Sequence, residues 1–233
     1  MPTRSKTALI VGASRGLGLG LAEELVRRGW RVIATARSPD PGSKLAAAVA
    51  GSGGKLSVER VDVSDAPGVD SFCKRVSGQP LDLLFLNAGI TGPKHQSVDT
   101  VTEAELGALL MTNAIAPLRI ARRLLPAIID GGTIAFMSSR MGSVADNLTG
   151  GMDLYRLSKA ALNTLTRGFA VTVVRDRKVS VLTLHPGWVR TDMGGDAAPL
   201  SIAESVTGMA DVLEAPRTAR HQFLDYQGLE LPW

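Results

Sequence analysis

Tyr155 and Lys159 stand four positions apart in Leu154-Tyr155-Arg156-Leu157-Ser158-Lys159. On a helix that spacing puts a phenol and an ammonium on one face, about one turn apart. The ammonium favours the phenolate, so it is expected to pull the tyrosine below its ordinary pKa of about 10. Near neutral pH such a tyrosine can give a proton to a carbonyl oxygen or take one from an alcohol. Upstream, a β-rich run ends in Ser138 and Ser139. A hydroxyl at that strand end, with Ser139 favoured over Ser138, can hydrogen-bond the same oxygen. This set suits carbonyl–alcohol interconversion, and that chemistry needs a hydride source.

The elements that must position these residues alternate along the chain. Lys6 to Val11 is a short apolar run read as a buried strand. A glycine-rich turn follows and opens a helix through Val26, which Gly29 closes at the C′ position. Arg31 to Ala36 completes a βαβ unit. Residues 38–54 read as a loop and a short Ala-rich helix, then Leu56 to Val63 as a strand. Ser64 or Asp65 caps a helix to about Val76, and Leu81 to Leu86 has the near-continuous apolar character of a central parallel strand. Thr102 and Glu105 form a capping box for a long helix to about Ile128, bent near Pro117. Thr133 to Met137 is the next strand, and the helix carrying Tyr155 runs to about Arg175. Val179 to Leu184, a second capping box at Ser201 and Glu204 with a helix to about Leu213, and a strand from Gln222 to Asp225 complete the pattern. The expected fold is α/β: one Rossmann-type domain over residues 1–233, a doubly wound parallel sheet of about seven strands with helices on both faces.

A glycine-rich turn between strand and helix suits a pyrophosphate. Glycine lets the backbone come close, and the helix N-terminus offers unpaired N–H groups and partial positive charge. Gly12, Ser14, Arg15, Gly16, Leu17 and Gly18 form that turn, spaced G-x-x-x-G-x-G. An acid at the end of the second strand would bond the ribose 2′-OH of NAD, whereas arginine favours the 2′-phosphate of NADP. Here Arg37 follows Ala36, and the first carboxylate is Asp40. Arg15 and Arg37 together therefore point to NADP(H), since guanidinium pairs phosphate oxygens bidentately.

The ordered series of motifs resembles the short-chain dehydrogenase/reductase superfamily over essentially the whole chain. It comprises the glycine turn, Asp62, Asn87-Ala88-Gly89, Asn113, Ser139, Tyr155 with Lys159, and Pro186-Gly187. A narrower likeness, to the sniffer/C-factor group of carbonyl-reductase-like members, rests on three further stretches. These are Gly150-Gly151 ahead of Tyr155, the run Leu184 to Gly195, and the ending Tyr226-x-Gly228-x-x-Leu231-Pro232-Trp233. The resemblance implies Tyr155 as general acid/base, Lys159 lowering its pKa and bonding the nicotinamide ribose, and Ser139 orienting the substrate oxygen. It implies that Asn113 holds a water that relays protons through Lys159. Asp62 and Val63 would lie by the adenine, and Asn87, Ala88 and Gly89 along the adenosine ribose side. Pro186, Gly187, Val189 and Thr191 would position the nicotinamide. Three positions depart from the pattern. Val11 stands where many members carry a threonine whose hydroxyl ties the glycine loop to the neighbouring strand. Leu86 replaces the first Asn of Asn-Asn-Ala-Gly, and the loop from Ser139 to Tyr155, sixteen positions long, exceeds that of many members.

Composition bounds the alternatives. The chain has 233 residues, 45% of them hydrophobic, which is enough for a large core without disulfides, and Cys73 is its one cysteine. A cytoplasmic setting is expected, with no signal peptide or membrane span. The net charge is +4, but the basic residues are scattered and only 4% of residues are aromatic, so nucleic acid is not an expected partner. The three histidines are dispersed and give no metal-site spacing. The expected substrate is a ketone, aldehyde or quinone, reduced by NADPH under a Gly-rich lid over residues 192–213. By analogy the expected assembly is a homodimer or homotetramer. The alternatives are a C-factor-like signalling protein with incidental catalysis and an NAD-dependent alcohol dehydrogenase.

Overall fold

The computed structural model describes residues 4–216 and 221–233. Seven strands form one sheet in the order β3-β2-β1-β4-β5-β6-β7, and every neighbouring pair is parallel. The strands are β1 (Thr7–Val11), β2 (Arg31–Ala36), β3 (Leu56–Arg60), β4 (Leu81–Leu86), β5 (Ile128–Met137), β6 (Ser180–His185) and β7 (His221–Asp225). The helices between them are α1 (Gly16–Arg27), α2 (Lys44–Gly51), α3 (Ala66–Val76), α4 (Glu103–Leu110), α5 (Ala116–Leu124), α6 (Asp153–Thr172) and α7 (Ile202–Glu214). This is the doubly wound architecture read from the sequence.

Alternation along β1 divides the core in two. Ala8 and Ile10 pack with α1, α2 and α7, while Leu9 and Val11 pack with α3, α5 and α6. All five phenylalanines are fully buried: Phe72, Phe85, Phe136, Phe169 and Phe223. Phe136 of β5 meets Phe169 of α6 edge to face, with ring centroids 6.3 Å apart, and this contact helps seat α6 on the sheet. The strand order reverses on either side of β1, so the crevice at the carboxyl ends of β1 and β4 is where such a sheet takes a ligand.

Several boundaries differ from the sequence reading. The long helix expected from Thr102 ends before Ile128, and its irregularity lies upstream of Pro117. Met111–Ile115 form a π-helical turn around Asn113, and Leu125–Ala127 a 3₁₀ turn. Pro117 sits in the first turn of α5, where its missing N–H costs nothing. Strand β5 begins at Ile128 because its register against β4 breaks between Leu81 and Leu83. Gly131, at φ +83°, turns that break. Strand β3 stops at Arg60, since Asp62 folds back to accept from Ser64. Both predicted capping boxes are present, at Thr102 with Glu105 and at Ser201 with Glu204.

Helix α7 is locked to α1 by ions. Arg28 bonds Glu24, Asp211 and Glu214, and Glu214 also accepts from Trp30 Nε1 at 2.7 Å. The bond from Arg27, with help from Arg28, pulls the Glu24 carboxyl from 4.5 down to about 2. Its folded value lies below the unfolded one, so its stabilisation is present above about pH 4.5 and is lost as pH falls toward 2. Glu24→Gln should therefore cost about 1–3 kcal/mol at neutral pH. In acid titrations followed by circular dichroism, it should flatten the loss of stability within that window.

Candidate active site

The carboxyl ends of β1, β4, β5 and β6 carry the candidate residues. After β1, Gly12 takes φ +91°, and a Cβ there would lie 2.7 Å from the Ala88 backbone. Gly18 is packed more tightly, with an added Cβ 2.1 Å from the Gly12 carbonyl oxygen. Both positions therefore require glycine. Gly16, at φ +57°, faces open space, with only Thr191 Cγ2 within 4 Å, at 3.9 Å. Helix α1 begins there with Arg15 at its N-cap, which provides no side-chain acceptor, and there is no acid in the first turn. The N–H groups of that turn are thus left to an anion. Leu17 packs into the α1 side of the core, so only its backbone is offered, and Ser14 is exposed. The turn fits a pyrophosphate.

Beside it, Asn87 Nδ2 donates to the Gly12 carbonyl at 2.5 Å, and the Asn87 and Ala88 amides both donate to Val11 O at 2.9 Å. The hydroxyl missing at Val11 comes from elsewhere: Thr35 of β2, fully buried, accepts from Gly12 N at 2.9 Å through Oγ1. Its carbonyl accepts from Ala13 N at 2.8 Å. The sequence reading missed Thr35, because its link to the loop spans 23 positions and depends on strand register.

At the adenosine end Asp62 is turned inward on Ser64, whose bonds, with the charge of Arg37, hold its carboxyl below the usual range. Val63 packs with Leu86 and Ala88, which makes Leu86 a packing residue. Arg37 is exposed, and its carbonyl accepts from Arg60 Nε at 3.1 Å, which adds a guanidinium that the sequence reading did not single out. Arg15 pairs with Asp192 at 2.9 Å across the cleft, both side chains about three-quarters exposed. Such a pair contributes little and yields readily to a phosphate.

At the reactive end Lys159 is buried, and its Nζ donates to Met137 O at 2.9 Å. Burial pushes the ammonium down to about 8. Tyr155 departs from expectation. Burial pushes its phenol up to about 12, and the Ser139 hydroxyl beside it offsets only part of that. The reason is geometric: the Lys159 ammonium faces the tyrosine ring, 5.7 Å from its centroid, and is committed to a backbone carbonyl. The two serines divide cleanly. Ser139 faces the Tyr155 phenol, whereas Ser138 Oγ donates to Asn163 Oδ1 at 2.7 Å inside the core. Asn113 is held by both backbone groups of Ile90 at 2.8 Å and donates to Ser158 Oγ at 3.0 Å. Asn113 thus lies in the π turn and ties it to the loop after β4. Gly89 lies against Asn113 Oδ1 and Lys159 Nζ, at 3.3 and 3.6 Å from an added Cβ. Gly142, another residue missed from sequence, packs on α6 so closely that a Cβ would fall 2.8 Å from the Lys159 carbonyl carbon.

After β6, Ser205 Oγ donates to Pro186 O at 2.6 Å, and Gly187 turns at φ +84° under Leu200. Val189 is buried and bridges to Leu200, while Thr191 Oγ1 accepts from Gly194 N. Of the expected lid, residues 202–213 are α7, with Met209 and Ala210 fully buried. Residues 192–200 are irregular and carry Met193, whose sulfur lies 4.0 Å from the Tyr155 hydroxyl, and Trp188 is exposed nearby. Cys73 is a packing residue, its thiol pushed up to about 11 by burial. Among the described residues no helix is long and apolar enough to cross a membrane.

The fold and this arrangement define a nucleotide-binding α/β class, and comparison with known proteins gives the family. The short chain dehydrogenase profile matches residues 6–199, and the chain belongs to that family. It is 40% identical to C-signal of Myxococcus xanthus over 166 residues, covering 70% of this chain and 99% of that protein. Among solved structures it is similar to a carbonyl reductase from Pseudomonas aeruginosa PAO1 in complex with NADP. That likeness has 43% identity and a TM-score of 0.90, and covers 99% of this chain and all of the other. It is also similar to the carbonyl reductase Sniffer of D. melanogaster at 30% identity and a TM-score of 0.90, covering 99% and 100%. The sniffer/C-factor likeness read from the motifs is therefore shared by the comparisons.

Two outcomes follow from the geometry. Lys159 has a folded pKa below its unfolded 10.5, so its burial penalty stands in full below about pH 8 and is relieved as pH rises toward 10.5. Lys159→Met should raise neutral-pH stability by about 1–2 kcal/mol, net of the lost bond to Met137, read as a higher Tm. Thr35→Val should cost about 1–3 kcal/mol and weaken nucleotide binding in calorimetric titrations, because the Gly12 N–H loses its acceptor.

Proposed function

We propose that this protein is an NADPH-dependent carbonyl reductase acting on a ketone, aldehyde or quinone. The observation that carries this reading is the meeting of the Tyr155 phenol with Ser139, beside buried Lys159, at the mouth of a glycine turn built for a pyrophosphate. The nucleotide-bound P. aeruginosa relative supports NADP, as do Arg15 and Arg37 and the absence of a carboxylate between Ala36 and Asp40.

When bound, the nicotinamide supplies the hydride. The turn shaped by Gly12, Gly16 and Gly18 would receive the pyrophosphate at the open N–H groups of the first turn of α1, the Gly12 N–H itself being held by Thr35. Arg15 would exchange Asp192 for the 2′-phosphate, with Arg37 beside it. Asp62 and Val63 border the adenine, Asn87, Ala88 and Gly89 the adenosine ribose side, and Pro186, Gly187, Val189 and Thr191 the nicotinamide end. Ser139 donates to the carbonyl oxygen of the substrate and Tyr155 gives it a proton. A phenol near 12 is fully protonated at neutral pH, which suits donation to an oxygen gaining negative charge. Lys159 Nζ adds positive charge behind the phenol, and Asn113 holds the water through which that proton is replaced. Met193, against the Tyr155 hydroxyl, and exposed Trp188, bonded to Gly194 beside it, give the mouth an apolar rim, which suits a hydrophobic carbonyl compound. We assign the chain a single domain, a mobile segment over residues 192–200 and a homo-oligomeric state.

The likeness to C-signal supports a second reading, a nucleotide-dependent signalling role. One experiment separates them: NADPH and NADH consumption against a carbonyl panel, with Tyr155→Phe and Ser139→Ala beside the wild type. A reductase should prefer NADPH and lose about 100-fold or more in kcat in Tyr155→Phe, with cofactor affinity unchanged. Ser138→Ala should lower stability and leave the proton donor in place. Tight NADPH binding without turnover would favour signalling, and preference for NADH would overturn the roles of Arg15 and Arg37.

A further inference from the structure

Tyr155 is the third residue of α6, in the turn whose backbone N–H groups have no partner within the helix. The residue ahead of the helix normally supplies the missing acceptor from its side chain. Here that residue is Met152, which has no oxygen to offer and makes no cap bond. The Tyr155 amide instead donates to Gln96 Oε1 at 2.9 Å, across 59 positions of sequence. At the other end of its side-chain amide, Gln96 Nε2 donates to Thr91 O at 3.0 Å and Pro93 O at 2.7 Å. With two carbonyls facing Nε2, only one orientation of the Gln96 amide satisfies all three contacts, and it turns the oxygen toward Tyr155.

Backbone strain marks the same junction. Among the described residues only two that are not glycine take positive φ: Gln96 at 51° and Met152 at 55°. They lie on the two sides of this one hydrogen bond. Left-handed backbone at such residues persists where surrounding contacts hold it, and it concentrates at functional sites. The chain reaching α6 is left-handed at Gly150 and Gly151 as well, and Arg156 reaches back to the carbonyls of both, at 3.2 and 2.8 Å. On the far side, Ser158 Oγ donates to Tyr155 O at 2.8 Å and accepts from Asn113. Lys159, one turn on, is fixed separately by Met137 O.

We infer that Gln96 is a positioning residue, the external N-terminal cap of α6 that holds Tyr155 in register with Lys159 and Ser139. Without it, the turn bearing the phenol frays while the turn bearing the ammonium stays in place. The catalytic consequence rests on the carbonyl-reductase reading, whereas the cap itself does not.

The test uses the full-length protein with Gln96→Ala and Gln96→Glu. Glutamate keeps the acceptor for Tyr155 N–H and loses both donations to Thr91 and Pro93, so it separates a helix cap from a loop anchor. In Gln96→Ala, hydrogen–deuterium exchange of the first turn of α6 should speed up by about tenfold or more, with later turns unchanged. The kcat for carbonyl reduction should fall about tenfold while KM for NADPH stays within about twofold. Gln96→Glu should retain slow exchange and most of kcat. Unchanged exchange in Gln96→Ala would overturn the cap, and faster exchange at full kcat would overturn the positioning role. A glutamate variant no better than alanine would assign Gln96 to the loop alone and overturn the inference. If the wild type turns over no carbonyl compound, the functional reading fails alone, and the phenol decides positioning. Tyr226→Phe leaves Tyr155 as the one tyrosine, and its phenolate absorbance should then rise at lower pH in Gln96→Ala, as the freed turn meets water. An unshifted titration overturns the role.

Discussion

A buried ammonium organises this end of the molecule. Lys159 sits between the end of β5 and the first turns of α6, and its ordinary pKa of 10.5 falls to about 8 because water has been removed around it. A shift of that size costs the fold about 3 kcal/mol at neutral pH. Neighbouring features answer that cost. The Met137 carbonyl at the strand end accepts one of the ammonium's protons. Gly142 lets the loop after β5 lie directly on the backbone of α6 at Lys159, and Gly89 lets the chain after β4 pass beside Nζ. A protein would not bury an unpaired lysine for stability. The charge faces the Tyr155 ring, 5.7 Å from its centroid, at the carboxyl ends of the strands.

The crevice itself follows from strand order. With β2 and β4 on opposite sides of β1, the helices that follow β1 and β4 pack on opposite faces of the sheet, and the crevice opens beyond the contact of Gly12 with Ala88. The glycine turn then has to be held against the sheet without side chains of its own. Asn87 grips the Gly12 carbonyl from β4, and Thr35 grips the Gly12 amide from β2. The threonine absent at Val11 has thus been replaced by a threonine one strand away. Both place a hydroxyl on the same loop, and only the direction of approach differs.

Much of this was legible in the order of residues. The apolar runs, the glycines after β1, the two capping boxes and the Tyr155–Lys159 spacing all report on contiguous chain, where periodicity and local hydrogen bonding leave a direct trace. The harder parts were those in which neighbours in space are distant in sequence. The pull of Lys159 on Tyr155 was read from helical spacing, yet burial outweighs it. The spacing sets which face the two side chains share, and not what water or carbonyl each one meets. The helix break was assigned to Pro117, the residue with the strongest local rule, but a first-turn proline is harmless and the π turn forms around Asn113.

The sequence by itself determined the fold class, the glycine turn, the arginines in and near that turn and the set of Ser139, Tyr155 and Lys159, because each is written in residue types at fixed local spacing. Only the tertiary structure decided which serine faces the phenol, that Thr35 holds the glycine loop, that Gly142 admits Lys159, and that Gln96 caps the helix of Tyr155. Each of these depends on strand register and close packing between segments tens of residues apart, and no local pattern encodes where such segments meet.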